Sequence, residues 1–443
     1  MKLSRLYKRT LTSIVLFCGI AGFGFAEASG KVSSASGTNL TQKKSGQNDK
    51  SGQADEAVLF RFKFKKDDQS RVLSTVEENV YVNGRLNHKA TILNRISSVV
   101  TDVNKAGDGK CEAVFMTSES STGSYGKNYV WGQEYDSIFT RSPLGKYDID
   151  DIYFMPTVRD VPLFPENAVK PGETWSSEGH EAHDMRITFG IDKPFKVPFN
   201  AEYKYAGKEY DAEQDKTFHL IEVKYNLYFE SPVPSTALSG EDLNYPAVTM
   251  GHSSQKIWWD NEKGMIDHYS EDFRIVIETF YGDTLSFTGT AHAEVQEFTR
   301  VSTEENIRKI KDFVGDSGIQ DIDVKKSDKG LTISIENIQF EPDSSRLMES
   351  EKKKLRKIAE ILKQFDNDLL ITGHCADRGT KKNQMKISED RAVSVAEFLS
   401  ELDVRNPNCI FTLGKGATEP VDSNLTEQGR KRNRRVEITL MDK

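Results

Sequence analysis

A chain of 443 residues, with 37% hydrophobic and 29% charged side chains, is too long for one ordinary core and implies two or three folded domains. Its net charge of −8 lacks the broad basic surface with which nucleic-acid-binding proteins neutralise phosphates. Beyond the N-terminus no segment reaches ~18 continuous apolar residues, so no later membrane-spanning helix is expected.

Residues 1–28 read as an export signal. Lys2, Arg5, Lys8 and Arg9 give a positive start, an apolar stretch runs from Leu11 through Ala26, and small residues allow cleavage after Ala26 or Ala28. Cys18, inside the apolar stretch, leaves lipid attachment open, although bulky Phe17 before it favours ordinary cleavage. After cleavage Cys111, Cys375 and Cys409 remain, and three cysteines do not make a disulfide framework. Residues 29–55 are rich in Ser, Gly, Gln, Asn and Lys. They bury too little apolar surface to offset their ordering entropy, and read as a flexible linker spanning roughly 30 Å r.m.s..

Residues 56–299 are β-rich. Phe60, Phe62 and Phe64 alternate with Arg61 and Lys63, and Ile221, Val223, Tyr225, Leu227 and Phe229 alternate with polar neighbours. Phe273–Glu278 is a further strand candidate. Lys256-Ile257-Trp258-Trp259, a turn closed by Gly264, and Met265-Ile266 predict a hairpin. The expectation is curved antiparallel sheet, as a sandwich or a partly open barrel, in two subdomains, 56–165 and 166–299, divided near Pro156, Pro162, Pro165 and Pro171. A transmembrane barrel fits less well, because stretches such as Glu202–Tyr210 are mixed on both faces. His180 and His183 are three apart, not the four of a zinc-protease helix. No nucleophile–base constellation, phosphate loop or Cys-x-x-Cys occurs, so neither an enzyme, a metal nor a cofactor is expected.

From residue 300 the grammar changes. Ser302-Thr303-Glu304-Glu305 reads as a capping box, followed by Ile307, Ile310 and Val314 on one helical face. Ile322 and Val324 make a short strand that turns into Leu331–Ile335. Helical stripes follow at Leu355, Ile358, Ala359, Leu362, Phe365 and at Ala392, Val395, Ala396, Leu399, Leu402. Strands are predicted at 369–372, 410–413 and 436–440. The βαβαββ pattern, with right-handed crossovers, predicts a two-layer α/β sandwich over 300–443. The run Arg430–Arg435 is basic, but an exported chain makes solvated surface and ion pairs its default reading.

Several segments in order carry a resemblance. They are Ile338-Gln339-Phe340-Glu341-Pro342-Asp343-Ser344, Gly373-His374, Arg391-Ala392-Val393-Ser394-Val395, Gly414–Pro420 and Asn433-Arg434-Arg435-Val436-Glu437-Ile438. Together, over about 318–441, they resemble the OmpA-like C-terminal family, in wording closest to its spirochaetal members. The resemblance implies a periplasmic, outer-membrane-associated protein whose C-terminal domain grips the peptidoglycan stem peptide, with a protein partner for the remainder. In that family an Asp two residues after the His and an Arg in the first turn of the second helix hold the diamino acid. The Arg falls on Arg391 and the acid position on Ala376, with Asp377 next door. Gln384 stands where the family usually has Asn, and Ser388 at a small helix-capping position. His374 would orient the loop, and Arg435 would support the groove. A lost acid, worth about 1.5–3 kcal/mol as a charge-assisted hydrogen bond, favours a competing expectation: a domain turned protein-interaction module. The β-rich part also loosely resembles LolA-like half-barrels, and an apolar ligand there would lie against Ile221, Val223 and Ile275.

Overall fold

The structure, a computed structural model, describes residues 56–123, 126–232, 245–296, 300–341 and 345–442; the expected export signal, Cys18 and the linker at 29–55 lie outside them. The alternating segments form β1 (Gln69–Val82), β2 (Arg85–Val103), β3 (Gly109–Gly123), β4 (Gly126–Arg141), β5 (Tyr147–Ile149) and β6 (Val158–Arg159). After these come β7 (Thr174–His183), the one-turn helix α1 (Arg186–Phe189), β8 (Phe195–Asp211), β9 (Lys216–Glu230), β10 (Pro246–Asp260), β11 (Met265–Thr279) and β12 (Thr284–Val295). All twelve strands belong to one antiparallel sheet, in the order β5-β4-β3-β2-β1-β12-β11-β10-β9-β8-β7-β6. β1 pairs on one side with β2 and on the other with β12, so that Val76 faces both Ile92 and Ala291. The stretches expected as two subdomains, 56–165 and 166–299, thus share a single near-barrel. The proline-rich stretch between them does not divide the sheet, because it runs across the seam between the edges β5 and β6. There Phe164 N–H donates to Leu144 O at 2.8 Å, and Tyr147 N–H to Asp160 Oδ1 at 2.8 Å.

Strand β8 shows what curls the sheet. Phe195, Val197, Phe199, Ala201, Tyr203 and Tyr205 are buried inward, while Lys196, Asn200, Glu202, Lys204 and Lys208 are exposed outward. Each large inward side chain contributes about 1.5–3 kcal/mol of burial. A lipid-facing wall would need the opposite arrangement. Ile221, Val223 and Ile275 lie in the same inner core, fully buried. Phe60 and Phe62 keep their alternation but do not form a strand. Phe62 N–H donates to Pro143 O and Lys63 N–H to Gly264 O, so this segment plugs the barrel, with Phe62 edge-on to Trp259 at 4.8 Å. The hairpin at Gly264 is present, with φ +68°. A side chain there would come within 2.8 Å of Arg61 O. Arg141 is fully buried at the seam; it donates to the carbonyls of Gly145 and Val161 and lies 3.8 Å over the Phe62 ring.

The C-terminal part contains α2 (Glu304–Asp316), β13 (Ile322–Ser327), β14 (Gly330–Glu336), α3 (Glu349–Leu362), β15 (Leu369–Gly373), α4 (Lys381–Glu401), β16 (Ile410–Gly414), α5 (Glu427–Asn433) and β17 (Arg435–Met441). Its sheet runs β13-β14-β17-β15-β16, with β15 parallel to β16 and the other pairs antiparallel. This is the expected α/β sandwich, with α5 added. Helix α2 is capped one residue later than the capping box implied: Thr303 Oγ1 accepts from Asn306 N–H. Leu331, Ile333, Ile371 and Ile438 pack against Ile310, Leu355, Ile358 and Val395. Cys375 follows the end of β15 and Cys409 precedes the start of β16, so the parallel pairing sets them apart; both are free thiols.

The other face of this sheet is covered as well. Leu370, Phe411 and Met441 pack against Met116 of β3, with Leu93, Val114 and Leu413 at the margin. Arg95 of β2 forms a buried ion pair with Asp368 and donates to Asp442 O at 3.1 Å. Ser118 Oγ donates to Asn408 O, and Lys329 pairs with Glu134 at 2.6 Å. The near-barrel wall is therefore a third layer behind helices and sheet. The apolar outward residues Leu93, Val114 and Met116, which break the polar-out rule of the barrel, are explained by this contact.

Candidate functional site

The C-terminal ends of β15 and β16 and the middle of α4 meet at one place. Gly373 permits the approach, because a Cβ there would lie 2.0 Å from Ser388 O. The 374–380 loop leaves from this point. His374 is buried; its N–H donates to Arg435 O at 3.0 Å and its Nε2 lies 3.8 Å from Glu437 Oε2. Arg435 Nε donates to Glu437 Oε1 at 2.9 Å and Arg435 Nη1 to Glu419 O at 3.1 Å, while Lys325 Nζ donates to Glu437 Oε1 at 3.1 Å. Burial alone would raise the Glu437 carboxyl pKa, but His374 and Arg435 outweigh it and hold it far below the usual range. Burial lowers the His374 pKa, against the pull of Glu437. His374 and Arg435 are thus knitted into a supporting network behind the loop.

The remaining expected residues divide sharply. Ala376 is buried, 7% exposed. Asp377 is exposed. Its N–H donates to Asn424 Oδ1 at 3.1 Å, and its Oδ1 accepts from Gln384 Nε2 at 2.9 Å. Gln384 is buried and so ties Asp377 to the helix. Ser388 does not cap α4, which starts at Lys381 and is capped by Thr380 Oγ1. Ser388 lies within the helix, fully buried; its Oγ donates to Met385 O and accepts from Gly416 N–H, each at 2.8 Å.

Arg391 lies ten residues beyond Lys381, in the third turn of α4 rather than the first. The partial positive charge of a helix N-terminus therefore does not reach it. Its guanidinium stacks 4.9 Å over Phe340, and its Nε is buried without a hydrogen-bond partner. Burial lowers the Arg391 pKa; Cys375 opposes this and Arg434 reinforces it. A guanidinium stays charged under such pressure, so the position is short of an anion. Sequence reasoning missed Phe340 as its platform and α5 beside it. Thr426 before Glu427, with Arg430, Lys431 and Arg432 at the far end, was the available helix signal.

The family model described as the OmpA family matches residues 339–434, the segment that holds this loop, α4 and Phe340. Outer membrane protein A of Bordetella avium is 39% identical over 103 residues, 23% of this chain and 53% of that protein. The chain thus spans about half the length of this curated relative. The peptidoglycan-associated lipoprotein of Pseudomonas aeruginosa is 32% identical over 117 residues, 26% of this chain and 69% of the relative. Among solved structures, an outer membrane protein from Borrelia burgdorferi B31 is 32% identical; the match covers 27% of this chain and 96% of that one, with a TM-score of 0.23. On the family-model match and the Pseudomonas relative, the chain belongs, through its C-terminal domain, to the OmpA family.

Proposed function

We propose that this is an exported envelope protein whose C-terminal domain grips the peptidoglycan stem peptide, while the near-barrel faces the outer membrane or a protein partner. The observation that carries the reading is Arg391: a half-buried guanidinium on an aromatic platform, with no carboxylate from the described residues beside it. Planar two-point recognition of a carboxylate is the chemistry Arg serves best. Asp377 and Gln384 line the loop beside it, with His374, Ser388 and Arg435 as its support. The printed name of the Pseudomonas relative agrees with a wall ligand.

One observation favours the competing reading, a module that has left the wall for a protein partner. Ala376 puts a methyl group at the family's acid position, and Asp377 is already engaged by Gln384. Co-sedimentation of the full-length chain with purified sacculi separates the two. Binding that Arg391→Ala weakens by roughly ten- to a hundred-fold, the value of a charge-assisted hydrogen bond, supports the wall reading. Absence of binding by the parent chain moves the proposal to the protein partner.

A further inference from the structure

A guanidinium laid over a phenylalanine ring occurs twice along α4. Arg391 stands 4.9 Å over Phe340, and Arg356 of α3 stands 5.4 Å over Phe398, with Lys352 Nζ 5.9 Å from the same ring. The two places lie along one edge of the domain. Phe398 follows Arg391 by two turns of helix, on the same face and roughly 10 Å further along. The bridge between Phe340 and Leu347 brings the start of α3 beside Arg391, so α3 and α4 run in the same direction from the loop site towards Phe398.

The second place is not an ion pair within the chain. Glu349 on α3 is committed to Lys352 at 2.9 Å, and this hydrogen bond holds its carboxyl below the usual range. Glu397 precedes Phe398 but lies about 100° round the helix from it. Arg356 and Lys353 are exposed, and neither forms an ion pair among the described residues. On a chain of net charge −8, this edge gathers Lys352, Lys353, Arg356 and Arg391. A guanidinium already held against a ring has given up part of its rotamer freedom, so it loses less on taking a carboxylate than a freely solvated one.

Building on the peptidoglycan reading, we infer that Arg356, on its Phe398 platform, is a second anion subsite of the wall-binding surface. It takes a further carboxylate of the stem peptide held at Arg391. The separation of roughly 10 Å corresponds to about three residues of extended peptide at ~3.3 Å each. A stem peptide therefore spans both places, and a single amino acid does not.

The test uses the full-length chain and two probes: soluble disaccharide-peptide fragments released from sacculi, and the free diamino acid of the same stem peptide. Affinity is read by calorimetric titration, and folding by the melting temperature. Arg356→Gln keeps the side-chain stem over Phe398 and removes the charge. It is expected to weaken binding of the fragments by about three- to fivefold, the scale of one exposed ion pair, at the parental melting temperature. Arg356→Glu should weaken it further, and added salt should narrow the gap between parent and variants. The free diamino acid, too short to reach Arg356, should bind parent and Arg356→Gln alike. If Arg356→Gln leaves the fragments' affinity unchanged, or weakens both probes equally, the inference is overturned while the wall reading stands. If neither the fragments nor intact sacculi bind the parent chain, the wall reading fails, and this inference fails with it.

Discussion

At the scale of single residues, the spacing from Gly373-His374 singled out Arg391 and Ala376, but it did not say which side chains were free to act. That depends on partners from other strands. Arg435 and His374 were expected to support the groove and orient the loop, and both are turned toward Glu437. Ser388 was a candidate cap, and it is instead the acceptor for the buried amide of Gly416. Ser388→Ala should therefore lower the stability of the chain by about 1–3 kcal/mol, the cost of one orphaned buried donor. Chemical denaturation measures it. A variant as stable as the parent would show that Gly416 does not depend on this hydroxyl.

At the scale of elements, periodicity identified the strands and helices whose partners lie close in sequence. The β10–β11 hairpin and the stripes of α3 and α4 stand where alternation and 3.6-residue spacing predict. Long-range closure was not legible. Nothing local to β1 states that it pairs with β12, some 200 residues later, and the prolines between β5 and β7 look like a boundary when only neighbours are read. The segment around Phe60 failed for a related reason: its alternation matches a strand, but its backbone partners are the loop carbonyls of Pro143 and Gly264. That contact makes Gly264 a sensitive position. Gly264→Ala combines a left-handed backbone with a close approach to Arg61 O, and should cost more than about 1 kcal/mol. An unchanged urea midpoint would show that the N-terminal plug does not bear on this turn.

At the scale of the whole molecule, the near-barrel and the OmpA-family domain share a face built from Met116, Leu370, Phe411 and Met441 and pinned by Arg95 and Asp368. Length and composition implied two or three domains but not this contact, since a few apolar residues on the outside of a strand are unremarkable until the matching surface is seen. Arg95→Ala strands Asp368 without its counter-ion. Because Asp368 keeps slight exposure, the cost should sit near the lower end for a broken buried pair, about 3 kcal/mol, and calorimetry should resolve two transitions where the parent shows one. A single transition at the parental temperature would mean that the shared face does not couple the halves. The central claim remains the grip of Arg391, and co-sedimentation of the full-length chain and its Arg391→Ala variant with purified sacculi tests it most directly. The parent is expected in the pellet and the variant, equally folded, in the supernatant; equal partition of the two would contradict the account.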